Sequence, residues 1–264
     1  MKLTLAYDNR NRDRFVALFH VMKQCCSIVN LSFLADSLYI QSMDSAHVCL
    51  FEMKITQEWF TSYETSKGDT GTIGITTQSL FSVLDTMTQS HDITLHYTGE
   101  PDTLHVDFQV NEKKKTPKSG EFDCQYTIPL VDCEYDLLSI PDLEYDLDFT
   151  ISSKKITDIM KRMTLFGEAI RFVCDDTSIQ IVSSGVHGEL NVALGNEDVS
   201  DYSIVENETI NVGYNLNYLA KMCITVKLTD EIGFHISKNS PIKIAYDLGQ
   251  DSHVWFYLAP IMDD

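Results

Sequence analysis

Trp255-Phe256-Tyr257-Leu258-Ala259-Pro260-Ile261-Met262-Asp263-Asp264 closes the chain and keeps Leu258, Pro260, Ile261 and Met262 almost to its last residue. Chain ends are usually polar and loose unless something ties them down. The pattern therefore predicts a tail fastened to the body of the protein. A second unusual stretch lies far upstream, Gln41-Ser42-Met43-Asp44-Ser45-Ala46-His47-Val48. It reads as a loop between two runs of strand-forming residues, Leu38-Tyr39-Ile40-Gln41 and Val48 to Lys54.

Further strand signals surround these two. They are Ile93 to Tyr97, Leu104 to Phe108, Ile179 to Val182, Leu190 to Leu194 and Ile242 to Tyr246. Gly99-Glu100-Pro101-Asp102 and Lys238-Asn239-Ser240-Pro241 punctuate them as turns. Four segments carry the i, i+3, i+4, i+7 spacing of one helical face. The first is Phe15, Leu18, Phe19 and Met22, and the second Leu80, Val83, Leu84 and Met87. The third is Ile156, Ile159, Met160 and Met163, with Ser152 and Ser153 as candidate N-caps. The fourth and weakest is Leu216, Leu219, Ala220 and Cys223.

The order helix, strands, helix, strands occurs twice. It predicts an α+β protein of two topologically similar domains, each with β-sheets and two helices. The boundaries read as an N-terminal domain over 1–130, a connector over 131–144 and a C-terminal domain over 145–264. The connector is acidic but carries Leu137, Leu138 and Ile140, and so is expected to pack on the surface. Lys113-Lys114-Lys115, with Pro117 and Lys118, reads as an exposed basic loop.

Length supports the same division, since 264 residues suit two domains of about 130 each. A hydrophobic content of 44% is enough to build cores, yet no apolar run approaches the roughly 18 residues of a membrane span. Met1 to Leu5 lacks the apolar region of an export signal. Seven cysteines, two of them adjacent at Cys25-Cys26, fit a disulfide framework poorly and point to a reducing, intracellular compartment. The formal net charge of −19 argues against indiscriminate nucleic-acid binding. It leaves two options: an acidic protein-binding scaffold, or a protein whose positive charge is confined to one face.

Catalytic patterns are lacking. Gly68, Gly71 and Gly74 match neither GxxxxGK[ST] nor GxGxxG, and CxxC and HExxH do not occur. His47 with Cys49, and His187, are isolated and read as structural rather than metal-binding. Ser42 and Ser183-Ser184-Gly185 lack the GxSxG elbow and read as turn residues. No catalytic residue, metal or cofactor is expected.

Four islands, in order, carry a resemblance. They are Gln41 to Val48; Leu138-Ser139-Ile140-Pro141 with Glu144-Tyr145; Pro241 to Tyr246; and Tyr257-Leu258-Ala259-Pro260. Together they closely resemble the signatures of the proliferating cell nuclear antigen type of DNA sliding clamp. The resemblance implies two similar domains per subunit and three subunits closed head-to-tail into a pseudo-six-fold ring. It implies a pocket for short peptides of DNA polymerases and other replication and repair factors, lined by Met43, His47, Val48, Leu138, Ile140, Pro241, Tyr257, Ala259 and Pro260. Any one of these could equally be a core residue. It further implies a DNA-facing wall carrying Arg14, His20, Lys23, Lys154, Lys155, Lys161, Arg162 and Lys221, with Arg10 and Arg12 beside the first helix.

Subunit contacts, on the same basis, run between the strand Phe122 to Ile128 (Phe122, Cys124, Tyr126, Ile128) and a neighbour's Glu189 to Ala193 (Leu190, Val192). Each segment could alternatively be an internal strand. The chain departs from the family pattern at Leu143, which follows the connector's Ile-Pro, and at Ser82, Asp85 and Asp158, which thin the basic wall. Asp176 stands where the nuclear clamp has a modifiable lysine.

The expectation is a homotrimeric processivity factor without an active site. It would encircle double-stranded DNA without reading its sequence, bind no membrane, and be opened by an ATP-dependent loader. The expected location is the nucleus or another intracellular site of replication. The alternative is a clamp-fold scaffold that is monomeric, or part of a heteromeric clamp, and does not encircle DNA alone.

Overall fold

The computed structural model describes residues 1–65, 71–99, 102–111, 120–132, 137–141 and 143–262. The lysine loop at 113–118 therefore lies outside the described residues, as do 133–136 of the connector. The chain forms two compact units, neither of them continuous. The first takes in Met1–Ser42, Glu52–Leu137 and Gly249–Ser252; the second takes in Met43–Phe51, Leu138–Leu248 and His253–Asp264.

The first unit begins β1 (Lys2–Leu5), α1 (Arg12–Cys25), β2 (Ile28–Phe33), β3 (Ser37–Met43, its last residue counted with the second unit) and β4 (Cys49–Thr56, of which Cys49–Phe51 are counted with the second unit). It continues β5 (Ser62–Glu64), β6 (Gly71–Thr76), α2 (Thr77–Leu84), β7 (His91–His96), β8 (Thr103–Val110) and β9 (Cys124–Pro129). Strand β2 pairs antiparallel with β3 and β6. Five strands form an antiparallel sheet in the order β5-β1-β7-β8-β9. Alternation explains its sidedness: Ile93 and Leu95 on β7, and Leu104, Val106 and Phe108 on β8, are buried on one face.

Helix α1 buries Phe15, Leu18, Phe19 and Met22, the four residues its periodicity singles out. Helix α2 departs from expectation. It ends at Leu84, before Met87, and buries Phe81 rather than Val83. The connector's start docks in this unit, Val131 donating its amide to Gly74 O at 2.9 Å. A Cβ at Gly74 would lie 2.1 Å from Val131 O, so only glycine allows this approach. Leu137 and Leu138 of the connector are exposed, contrary to the expectation that they pack.

The second unit repeats the order as β10 (Leu147–Ser152), α3 (Ser153–Met163), β11 (Ala169–Asp175), β12 (Ser178–Gly185) and β13 (Gly188–Leu194). It ends β14 (Val199–Ile204), β15 (Ile210–Asn215), α4 (Leu216–Met222), β16 (Glu231–Ile236), β17 (Ile242–Gly249) and β18 (Ser252–Leu258). Four strands form an antiparallel sheet in the order β13-β12-β11-β15, and β14-β10-β16-β17-β18 are neighbours in another. Phe149 of β10 stacks on Phe234 of β16 with centroids 4.9 Å apart, and Phe172 of β11 lies between Phe149 and Tyr214 of β15. These rings form the centre of the core.

Helix α3 buries Ile156, Ile159, Met160 and Met163 as its pattern predicts. Its serines do not cap it. Ser153 instead donates to Thr229 O at 2.7 Å, and the cap with a side-chain bond belongs to α4. There Asn215 accepts from the amides of Asn217 and Tyr218.

Candidate partner pocket, basic helix faces and strand edges

The loop that joins β3 to β4 is shaped by one buried carboxylate. Asp44, 6% exposed, accepts from the amides of Ala46 (3.1 Å), Val48 (2.9 Å) and Cys49 (2.7 Å). It also accepts from the Tyr218 hydroxyl at 2.7 Å. Burial alone would raise its pKa. The bonds from Tyr218, Cys49, Val48 and Ala46 outweigh burial and hold the carboxyl below its ordinary value. The tight turn puts His47 in the left-handed region at φ 57°, its ring Nδ1 3.1 Å from Met43 Sδ.

The tail is fastened as its composition predicts. Ala259 donates to Val48 O at 3.0 Å, and Ile261 donates to Gly213 O at 2.8 Å on β15. Val48 and Ala259 are thereby set side by side, with Met43 and His47 on the same loop and Tyr257 and Pro260 on the same tail. Tyr257 is buried, Pro260 half-buried, and His47, Val48 and Ala259 exposed. Leu138, Ile140 and Pro241 belong to the same unit; Leu138 and Pro241 are exposed and Ile140 half-buried. Asp44, Gly213 and Tyr218 hold this arrangement together, and sequence reasoning did not single them out. Asp44 could have been suspected from its place in a turn, where its side chain reaches the following amides. Nothing near Tyr218 signals its role.

The basic helix residues have unequal surroundings. On α1, Arg14 is half-buried, His20 stacks on Phe81 of α2 at 5.2 Å, and Lys23 Nζ sits 3.8 Å from the same ring. Arg12, grouped by sequence with its neighbours, is instead a structural residue. It is 4% exposed and donates to Gln89 O and His91 O at 2.8 and 2.9 Å. On α3, Lys154, Lys161 and Arg162 are exposed, whereas Lys155 is paired with Asp198 at 2.7 Å. Lys161 and Lys221 line one groove between α3 and α4, floored by Met160, Ala220 and Ile224.

Strands β9 and β13 are both sheet edges: β9 pairs with β8, and β13 with β12, each on one side only among the described strands. Cys124 and Tyr126 are half-buried and Ile128 buried on one face of β9. The Tyr126 hydroxyl lies 3.0 Å from Thr86 Oγ1. Phe122 precedes the strand rather than joining it, and is 69% exposed. Leu190 and Val192 of β13 alternate, half-buried, with exposed Glu189, Asn191 and Ala193.

The N-terminal domain of proliferating cell nuclear antigen matches residues 13–135, and its C-terminal domain matches residues 139–261. The chain belongs to the proliferating cell nuclear antigen family. It is 26% identical to proliferating cell nuclear antigen of Chaetomium thermophilum over 237 residues, covering 87% of each chain. With proliferating cell nuclear antigen 2 of Drosophila melanogaster it shares 23% over 229 residues, 87% of this chain and 86% of the relative. Its fold is similar to that in a PCNA2–PCNA3 complex of Sulfolobus tokodaii, with TM-score 0.85 and 19% identity over 98% and 99% of the two chains. The α+β chain of two similar domains expected from the residue pattern, and the clamp fold expected from the resemblance, are thus the fold this family member has. Its sequence departures fall on described positions. Ser82, Asp85, Asp158 and Asp176 are all exposed.

Proposed function

We propose that the protein is a DNA sliding clamp and polymerase processivity factor, closed as a homotrimeric ring around duplex DNA, that tethers replication and repair proteins without chemistry of its own. The observation that carries this reading is the pair of unlike sheet edges, β9 in one unit and β13 in the other. Exposed edges invite strand pairing. Contacts between two different patches run head-to-tail and close into a ring when the rotation allows. On this reading Cys124, Tyr126 and Ile128 of one copy, flanked by Phe122, meet Leu190 and Val192 of the next.

The exposed Lys154, Lys161, Arg162 and Lys221, with Arg14, His20 and Lys23, are the DNA-facing set. They contact phosphates without reading bases. Lys155 contributes less, because Asp198 already offsets its charge. Partner peptides occupy the surface between the 43–48 loop and the tail, where Leu138, Ile140 and Pro241 supply apolar contacts. Opening falls to an ATP-dependent loader, at the nucleus or another site of replication.

Light scattering across a concentration range tests the ring. A stable mass near three times 30.0 kDa is expected. A monomer throughout overturns the homotrimer. A second reading, a subunit of a mixed clamp, is favoured by the fold's likeness to a complex of two distinct clamp chains. It predicts a monomer that assembles only when sister chains are added.

A further inference from the structure

Three hydrogen bonds close a circuit among the segments around the candidate partner surface. Ala259 N joins the tail to Val48 O of the loop. Ile261 N joins the tail to Gly213 O of β15. Tyr218 Oη, at the start of α4, joins back to Asp44 of the loop. Loop and tail, the two walls of the surface, thus share a footing in the β15–α4 corner. Asn215 fixes that corner by accepting the amides of Asn217 and Tyr218, which sets the first turn of α4.

We propose that Tyr218 is a positioning residue of the partner-peptide site, its hydroxyl acting through Asp44 to hold the 43–48 wall in register with the tail. This rests on the partner-site reading given above. Asp44 by itself gives the loop its internal shape, because three of the four donors to its carboxylate are amides of the loop and of Cys49, the β4 residue that the loop runs directly into. Those bonds would survive if the loop moved as a body. The fourth donor comes from α4, 174 positions away in the chain, and fixes where the loop sits against that helix. A buried carboxylate that loses one donor is left under-solvated, so it shifts toward water or draws water in. Either way the wall loses its tie to α4. A phenylalanine could keep the ring packing but not the donor, so the hydroxyl is the part that matters. Tyr218 touches no peptide on this account. It changes affinity by pre-organising the residues that do.

The test is anisotropy of a fluorescent clamp-binding peptide from a DNA polymerase, titrated with the full chain. Tyr218→Phe is expected to weaken binding about five- to tenfold, part of the worth of one hydrogen bond to a charged group, because a positioning residue passes on to affinity only a share of the bond it loses, with solution mass unchanged. On an Asp44→Ala background, Tyr218→Phe should have no further effect, whereas Asp44→Asn should bind between wild type and Asp44→Ala. Non-additivity of this kind identifies residues acting through one another. A role confined to stability would instead lower affinity, mass and thermal midpoint together, and that outcome overturns the inference. So does wild-type affinity in Tyr218→Phe, or full additivity with Asp44→Ala. If the wild-type chain itself does not bind the peptide, the partner-site reading falls and takes this inference with it. Unchanged binding by Tyr218→Phe sinks the inference alone.

Discussion

Arg12 and Arg14 stand two residues apart on α1 and do different things. Arg12 spends its guanidinium on Gln89 and His91 carbonyls in a buried setting, while Arg14 keeps partial access to solvent. Arg12→Ala strands two carbonyls and is expected to cost about 2–4 kcal/mol, lowering the thermal midpoint by several degrees. Lys154→Ala, on an exposed face, should leave the midpoint nearly unchanged. Differential scanning calorimetry of the two variants separates them. Asp44 gives a second prediction, on the acid side. Its native pKa lies below the ordinary 3.8, so its contribution is complete above that value and is lost as pH falls through the native pKa. Asp44→Asn should therefore flatten the fall in stability seen by denaturant titration below about pH 4.

Elements were more legible than their partners. Helices α1 and α3 were readable because a one-sided apolar stripe survives any context, and the strands because alternation is local. Helix α2 differs from its pattern because Phe81, not Val83, turns inward beneath His20 and Lys23. Its end falls short of Met87 because Thr86 and Met87 bond three residues back, to the Val83 and Leu84 carbonyls, instead of four. Periodicity does not say which strands lie at an edge, since that depends on pairings between residues far apart. Among the site residues, the loop and tail islands were visible, but the Tyr218–Asp44 bond spans 174 positions and leaves no local trace.

The edges yield a prediction at this scale. Leu190→Asp places a charge on the half-buried face of β13 and should reduce the solution mass to about 30.0 kDa, read by light scattering. An unchanged mass would remove β13 from the interface. Helix α3 yields another. Lys161→Gln should weaken retention on duplex DNA and flatten its salt dependence, while Lys155→Gln should do so less, because the native Lys155 ammonium is already held by Asp198 rather than by phosphate.

For the molecule as a whole, a charge of −19 sets acidic bulk against a few exposed cations. Direct attraction to DNA should accordingly be weak and vanish with added salt. A loaded ring should nevertheless stay on closed circular DNA and slide off once the circle is cut, which gel filtration of the complex would reveal. The two units also carry a consequence for anyone who wishes to take the protein apart. Thr56 is hydrogen-bonded to Gln250 and Ser252 within the first unit, and the second unit claims Met43–Phe51. A fragment ending at Leu137 lacks those distant partners, and one starting at Leu138 lacks the loop that Tyr218 holds. Scissors applied at the connector therefore do not follow the seams of the fold. Each half is a torn page whose missing lines are printed on the other, and neither half by itself should carry a complete partner surface.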